Sequence, residues 1–348
     1  MNTIGINYCR EVLPAVSRTF ALGIELLRDP LRDQVGVSYL ICRILDTIED
    51  TTSLPARNRE DLLSRAAGEL LGGEDWLPCA QAIEDFFSSP SLSAPDQELC
   101  RQAPLILETF HSFPEEVKEA ARFPITEMAE GMALTVHREE KGNGLRLRTF
   151  EELERYCYYV AGTVGRLLTF LFILHRKSLR GAIGGILHAH AVEFGLGLQL
   201  TNIIKGVTGD FQRGAVYLPA DLFRAEDLLL DDLLANPDDP RGLTIGRKLA
   251  KIALSWLDQG AIYTLAFPPE DDDIRLFCAL PLFFALRTLK AALVPGIIFS
   301  NQPLKITRAE VEEFQERLPE IIREDEALRE LYRQERQSVL KLLKPEVP

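Results

Sequence analysis

The stretch Tyr39-Leu40-Ile41-Cys42-Arg43-Ile44-Leu45-Asp46-Thr47-Ile48-Glu49-Asp50 decides how the chain is read. Steps of four, three and four put Tyr39, Arg43, Asp46 and Asp50 on one stripe of an α-helix, and Glu49 borders it. Val37, Leu40, Ile41, Ile44, Leu45 and Ile48 surround that stripe, so the helix is apolar nearly all round and is expected to be buried. Three carboxylates in such a helix are costly unless something compensates them. A hard divalent cation is the natural compensation, since Mg²⁺ takes oxygen ligands and commonly bridges to a phosphate. Arg43 would then offer its fork of donors to a diphosphate. A plainer reading covers the same residues: acids at a solvated helix end, with Arg43 paired to Asp46 or Asp50.

Helical periodicity extends outward from this stretch, and strand-like alternation is weak throughout. Helices are expected over 8–28, with Ser17-Arg18-Thr19-Phe20 inside or interrupting it, then over 33–49, 58–72, 79–88, 95–112 and 114–137. Gly72-Gly73 and Ser88-Ser89-Pro90 mark helix ends, and Lys141-Gly142-Asn143-Gly144 a loop. Further helices are expected over 150–176, 179–207, 246–265 and 274–294. The acidic segment 209–245, broken by Pro219, Pro237 and Pro240, is a domain boundary or an excursion between helices. In 307–343, Val311, Phe314, Leu318, Ile321, Leu328 and Leu331 recur at three- and four-residue steps, which predicts one amphipathic helix or two on the outside. The expected fold is all-α, with residues 1–348 forming a single domain.

Composition narrows the function classes. The net charge of −13 over 348 residues argues against a nucleic-acid partner and against tight docking on an anionic membrane. Six cysteines without a CxxC pair read as reduced, buried thiols of a cytoplasmic protein. No signal peptide is expected, and the apolar stretches 160–174 and 280–299 read as core helices, not membrane spans, because charged residues and Pro295 interrupt them. A monomer is the default.

A second stripe lies in Gln199-Leu200-Thr201-Asn202-Ile203-Ile204-Lys205-Gly206-Val207-Thr208-Gly209-Asp210. Gln199, Asn202, Gly206 and Asp210 share one helix face, and their amide and carboxylate oxygens could complete a metal shell. A polar helix end with Asp210 in a turn explains them equally well.

Taken together, Ser17-Arg18-Thr19-Phe20, Tyr39 to Asp50, Tyr156-Cys157-Tyr158-Tyr159-Val160-Ala161-Gly162-Thr163-Val164-Gly165, Gln199 to Ile204 and Cys278-Ala279-Leu280-Pro281 resemble the squalene/phytoene synthases in order and spacing, squalene synthases above all. The resemblance implies a class I isoprenoid synthase-like helical bundle with a central cavity, in which two acid-rich helices hold Mg²⁺. It implies head-to-head joining of two prenyl diphosphates, here farnesyl diphosphate: one ionises to an allylic cation, and the other's double bond attacks to give a cyclopropylcarbinyl diphosphate. Squalene synthases ionise this product again and reduce it with NADPH. By position, Asp46, Glu49 and Asp50 match the first metal motif. Ser17, Arg18, Phe20, Tyr39 and Arg43 match substrate-facing positions, and Tyr159 a tyrosine credited with proton handling. Gln199, Asn202 and Asp210 match the second site, with Asn202 and Asp210 as metal ligands and Lys205 and Arg213 as diphosphate contacts.

The chain departs from the family where a second acidic cluster is usual: two of the three expected carboxylates are Gly206 and Gly209. A common arginine in the following turn reads Ala215, with Arg213 nearby, and Lys305-Ile306-Thr307-Arg308 echoes the NADPH-contacting loop only in part. Three functions therefore stand: a squalene-synthase-like condensation; transfer of a single prenyl group to an acceptor without a diphosphate, such as an aromatic ring; and a prenyl-lipid-binding partner without activity.

Overall fold

The computed structural model describes residues 2–72, 76–88, 95–139 and 144–344. The turn signals at Gly73, Ser89 and Pro90, the loop residues 141–143 and the side chain of Arg18 lie outside what is described. The fold is all-α: among the described residues there is no strand, and Arg146 and Val216 form an isolated bridge.

In chain order the helices are α1 (Thr3–Val16), α2 (Arg18–Leu26), α3 (Leu31–Asp50), α4 (Ala56–Glu69), α5 (Trp76–Phe87), α6 (Pro95–Arg101), α7 (Ala103–His111), α8 (Glu115–His137) and α9 (Phe150–Cys157). A π-helical turn, Tyr158–Gly162, leads into α10 (Thr163–His175). Then come α11 (Ala182–Gln212), α12 (Ala220–Arg224), α13 (Leu230–Ala235), α14 (Pro240–Ala266), α15 (Asp272–Ala292), α16 (Arg308–Ile321) and α17 (Asp325–Leu343). They gather into two compact units, one made of 1–139 with 163–185 and the other of 140–162 with 186–348.

The first unit is built round α3, which packs against α1, α2, α4, α6, α7, α8 and α10. Leu31, Leu40, Ile41, Ile44, Leu45 and Ile48 are each 0% exposed. Burial of that kind is worth about 1.5–3 kcal/mol per side chain, which offsets the cost of carrying carboxylates on the same helix. Residues 8–28 form two helices, because Ser17 is extended (φ −154°, ψ 95°) and interrupts them. The expected helix over 95–112 also splits, at Gln102, where Pro104 sits in the first turn of α7.

The second unit is held by α14 and α15 with α16 and α17 laid on them. α14 starts at Pro240, six residues before the expected 246, since Asp239 caps it and the proline suits a first turn. α11 runs close to α14: a Cβ added at Gly197 would lie 3.0 Å from the Leu257 backbone nitrogen. α11 also continues to Gln212, beyond the expected end at 207. Its termination falls at Gly214, whose φ of +86° suits glycine at a helix C-terminus.

The C-terminal segment forms two helices. Fully buried Arg275 donates to the Ile322 carbonyl at 2.8 Å and pairs with Asp325, satisfying an end carbonyl where α16 stops and α17 begins. Arg287 donates to Glu335 of α17 at 2.6 and 2.8 Å and to Glu310 and Glu313 of α16 at 3.3 and 3.2 Å, and Asp258 receives Tyr332 and Arg336 at 2.6 Å each, so both helices are pinned. All six cysteines are buried and unpaired. The apolar stretch 160–174, expected to be a core helix, belongs to a 26-residue helical run, Phe150–His175, long and apolar enough by length and composition to cross a membrane, with 44% of its most apolar window buried inside the fold.

Candidate active site

Four of the positions expected to face substrate meet in the first unit. The break at Ser17 frees its hydroxyl from helical duty, and it hydrogen-bonds Tyr39. Phe20 stacks on the Tyr39 ring at 5.3 Å between centroids. One turn on, Arg43 donates to Asp46 at 3.2 Å and to Asp96 at 2.9 Å. Ser17, Phe20, Tyr39, Arg43 and Asp46 are therefore linked in one array, with Glu49 and Asp50 completing the stripe.

Its charges are strained in a way that invites a cation. Burial, with a further push from Asp50, raises the Asp46 carboxyl to about 6 despite Arg43 beside it. Glu49 is 6% exposed, and burial and then Asp50 and Asp46 raise it well above the usual glutamate value. Its buried Oε1 has no hydrogen-bond partner, nor has the buried Nε of Arg43. Burial pushes Tyr39 up to about 12, so it is a neutral hydroxyl. Burial opposes the charge of Arg43, but Asp46, Tyr39 and Asp96 more than offset this and hold it protonated. Among the described residues no three His, Cys, Asp or Glu side chains close round an ion unaided. The stripe offers carboxylate oxygens from one side, which suits Mg²⁺ that completes its shell with phosphate oxygens and water.

The second unit carries the other predicted residues. Gln199 is half-buried and Asn202 and Lys205 are exposed on α11. Asp210 lies in the helix, not in a turn, and accepts from Arg213 at 2.5 Å. Gly206 and Gly209 leave this face bare: a Cβ at Gly209 would meet only the Arg213 Nη1, at 3.7 Å. Tyr159 sits in the π-helical turn, half-buried, edge-on to Tyr158 at 5.6 Å. That turn rests on Gly195, where a Cβ would lie 2.3 Å from the Ala161 carbonyl oxygen, and π-turns of this kind are frequent at functional sites. Tyr156 is core, stacked on Tyr217 at 4.6 Å.

The model of the squalene/phytoene synthase family matches residues 13–310. The chain belongs to that family. It is 30% identical to squalene synthase of Eremothecium gossypii over 307 residues, 87% of this chain and 64% of that one. It is 27% identical to squalene synthase of Schizosaccharomyces pombe over 288 residues, 82% of this chain and 59% of that one. The match thus spans about three fifths of the length of these curated relatives. The solved complex of TcSQS with the ligand BPH1237 superposes with a TM-score of 0.73 at 22% identity, covering 98% of both chains, a likeness of fold.

Within this family frame the structure adds two residues that sequence reasoning missed. Asp96 holds the second half of the Arg43 guanidinium, from 53 residues away. Arg59, 1% exposed, donates to the Glu49 carbonyl at 2.5 Å and to both oxygens of Glu139 at 3.0 and 2.6 Å. It places a cation at the C-terminus of α3, where unpaired carbonyls and the helix dipole favour one, and so fixes the end that bears the acids. Neither has a local signal: Asp96 reads as a first-turn acid and Arg59 as a surface residue of an amphipathic helix.

Proposed function

We propose that the chain is a Mg²⁺-dependent prenyltransferase that joins two farnesyl diphosphates head to head, giving presqualene diphosphate or squalene. The observation that carries this is the stripe of Asp46, Glu49 and Asp50 at the end of α3, continuous with Arg43, Tyr39, Phe20 and Ser17, in a chain of this family. Asp46, Glu49 and Asp50 would hold the metal, which supplies charge neutralisation on a departing diphosphate. Arg43, already oriented by Asp96, turns its remaining donors to the same oxygens, together with Ser17 and Arg18. The allylic C–O bond breaks and its electrons leave with the diphosphate. The double bond of the second substrate attacks the cation, and Tyr159 receives the proton that is lost. The stacked rings of Phe20 and Tyr39 would offer their outer faces to positive charge. Gln199, Asn202, Lys205 and Arg213 serve the second diphosphate.

At that second site the donors do not fit a hard cation. Asn202 and Asp210 offer two groups, and Asp210 is engaged by Arg213. This observation favours a second reading, transfer of one prenyl group to an acceptor without a diphosphate, such as an aromatic ring. NADPH enters only if a second ionisation occurs. We further propose that all 348 residues act as one functional domain, monomeric and cytoplasmic, touching membranes loosely to exchange greasy substrate and product.

Purified protein with farnesyl diphosphate and Mg²⁺, with and without NADPH, tests the first reading by mass analysis of the extract. A thirty-carbon product supports it. Diphosphate release with fifteen-carbon alcohols alone points to the second reading. Restoring the acids, Gly206→Asp with Gly209→Glu, should then raise thirty-carbon output if the chain is a weakened head-to-head synthase.

A further inference from the structure

We propose that Asp96 is a positioning residue for the α3 stripe: it draws the Arg43 guanidinium off Asp46, leaving Asp46 free to take a divalent cation. The proposal deepens the prenyl-diphosphate reading and rests on it for that cation. Arg43, Asp46 and Asp96 all lie in the first unit.

Arg43 and Asp46 stand three residues apart on α3, a spacing at which opposite charges pair by default. That pair competes with a metal. An oxygen held by a guanidinium is lost to a cation, and two positive charges beside one carboxylate repel each other. The distances show how the competition is set. Arg43 Nη1 is 3.2 Å from Asp46, long for a charge-assisted bond, whereas Nη2 is 2.9 Å from Asp96, an ordinary length for one. The guanidinium therefore rests on Asp96 and only brushes Asp46. This pose has a cost, because the buried Nε of Arg43 is left without a hydrogen-bond partner. A carboxylate that took Nε and an Nη together, as a fork, would remove that cost. With Asp96 pulling on Nη2, Asp46 does not.

Asp96 is also held in place. Its helix, α6, packs on α3, with Leu99 and Cys100 fully buried, and Arg101 at its end donates to the Phe87 carbonyl at 2.8 Å. A fixed helix thus presents to Arg43 a carboxylate from 53 residues away.

A Mn²⁺ titration of the full chain with inorganic pyrophosphate, followed by electron paramagnetic resonance, tests the proposal. Asp96→Asn should weaken Mn²⁺ binding about tenfold, the scale seen when a group that orients a metal site is lost. Asp96→Glu keeps the charge and should stay within about threefold of wild type. Asp96 is 38% exposed, so both variants should melt like wild type. Arg43→Gln removes the competitor, and adding Asp96→Asn to it should change Mn²⁺ binding by less than about twofold. Unchanged binding in Asp96→Asn overturns the proposal, as does a loss that Asp96→Glu does not rescue. A tenfold loss that persists in the Arg43→Gln background also overturns it, because Asp96 would then act on the metal without Arg43. The metal reading is judged by wild type alone: no Mn²⁺ binding there removes that reading and the proposal together, whereas wild-type binding with an indifferent Asp96→Asn removes the proposal only.

Discussion

α3 and α11 each end in a stripe of three- and four-residue steps along one helix face, yet the two ends differ in charge. At α3 three carboxylates are gathered on a helix whose flanks are fully buried, and burial raises both Asp46 and Glu49. Arg43 and Arg59 supply part of the missing positive charge, and the unpartnered Glu49 Oε1 marks where more is needed. At α11 Gly206 and Gly209 carry no side chain, and Asp210 is paired with Arg213. The first end has the oxygen donors a hard cation needs, and the second, with one paired carboxylate, does not.

The sharpest break of this contrast is Asp46→Asn. It should cut Mg²⁺-dependent diphosphate release by more than about 100-fold, the scale expected for losing electrostatic stabilisation of a leaving group. Wild-type rates from that variant would remove α3 from the chemistry. Next is Arg59→Leu, which leaves Glu139 without its partner and uncaps the end of α3. Urea unfolding should show a loss of about 3 kcal/mol, as for breaking a buried ion pair; a loss near zero would mean the acid stripe is held by something else.

A smaller effect follows from the raised Asp46. Its folded carboxyl titrates at about 6 against an ordinary 3.8, so the native state binds its proton more tightly than the unfolded chain does. In EDTA, stability should therefore fall by about 1 kcal/mol as pH rises from about 4 to about 6, allowing for partial exposure. Asp46→Asn should flatten that slope, and identical pH profiles for the two proteins would contradict it. The smallest effect is Gly209→Ala. The position is helical and has room for a methyl group, so the variant should gain about 0.5–1 kcal/mol in urea unfolding. A loss there would show that the bare face is structurally required.

The α3 stripe, with Tyr39 and Arg43 on it, was legible because a buried helix writes its period into the sequence, whereas the Ser17 motif came from family likeness. Family likeness carried Tyr159, but not the π-turn that presents it, since that depends on Gly195 meeting Ala161 from another helix. The helix was expected to end at 207, between Gly206 and Gly209; it continues to Gln212, and its stop is set by the positive φ of Gly214. Asp96 and Arg59 were invisible because their partners are distant in sequence, and a long-range ion pair leaves no periodicity.

The most direct test of the division of labour is a Mn²⁺ titration followed by electron paramagnetic resonance in the presence of inorganic pyrophosphate, with Mn²⁺ standing in for Mg²⁺. Binding should be lost in Asp46→Asn and retained in Asp210→Asn. Loss in Asp210→Asn with retention in Asp46→Asn would put the metal on α11 and contradict the account.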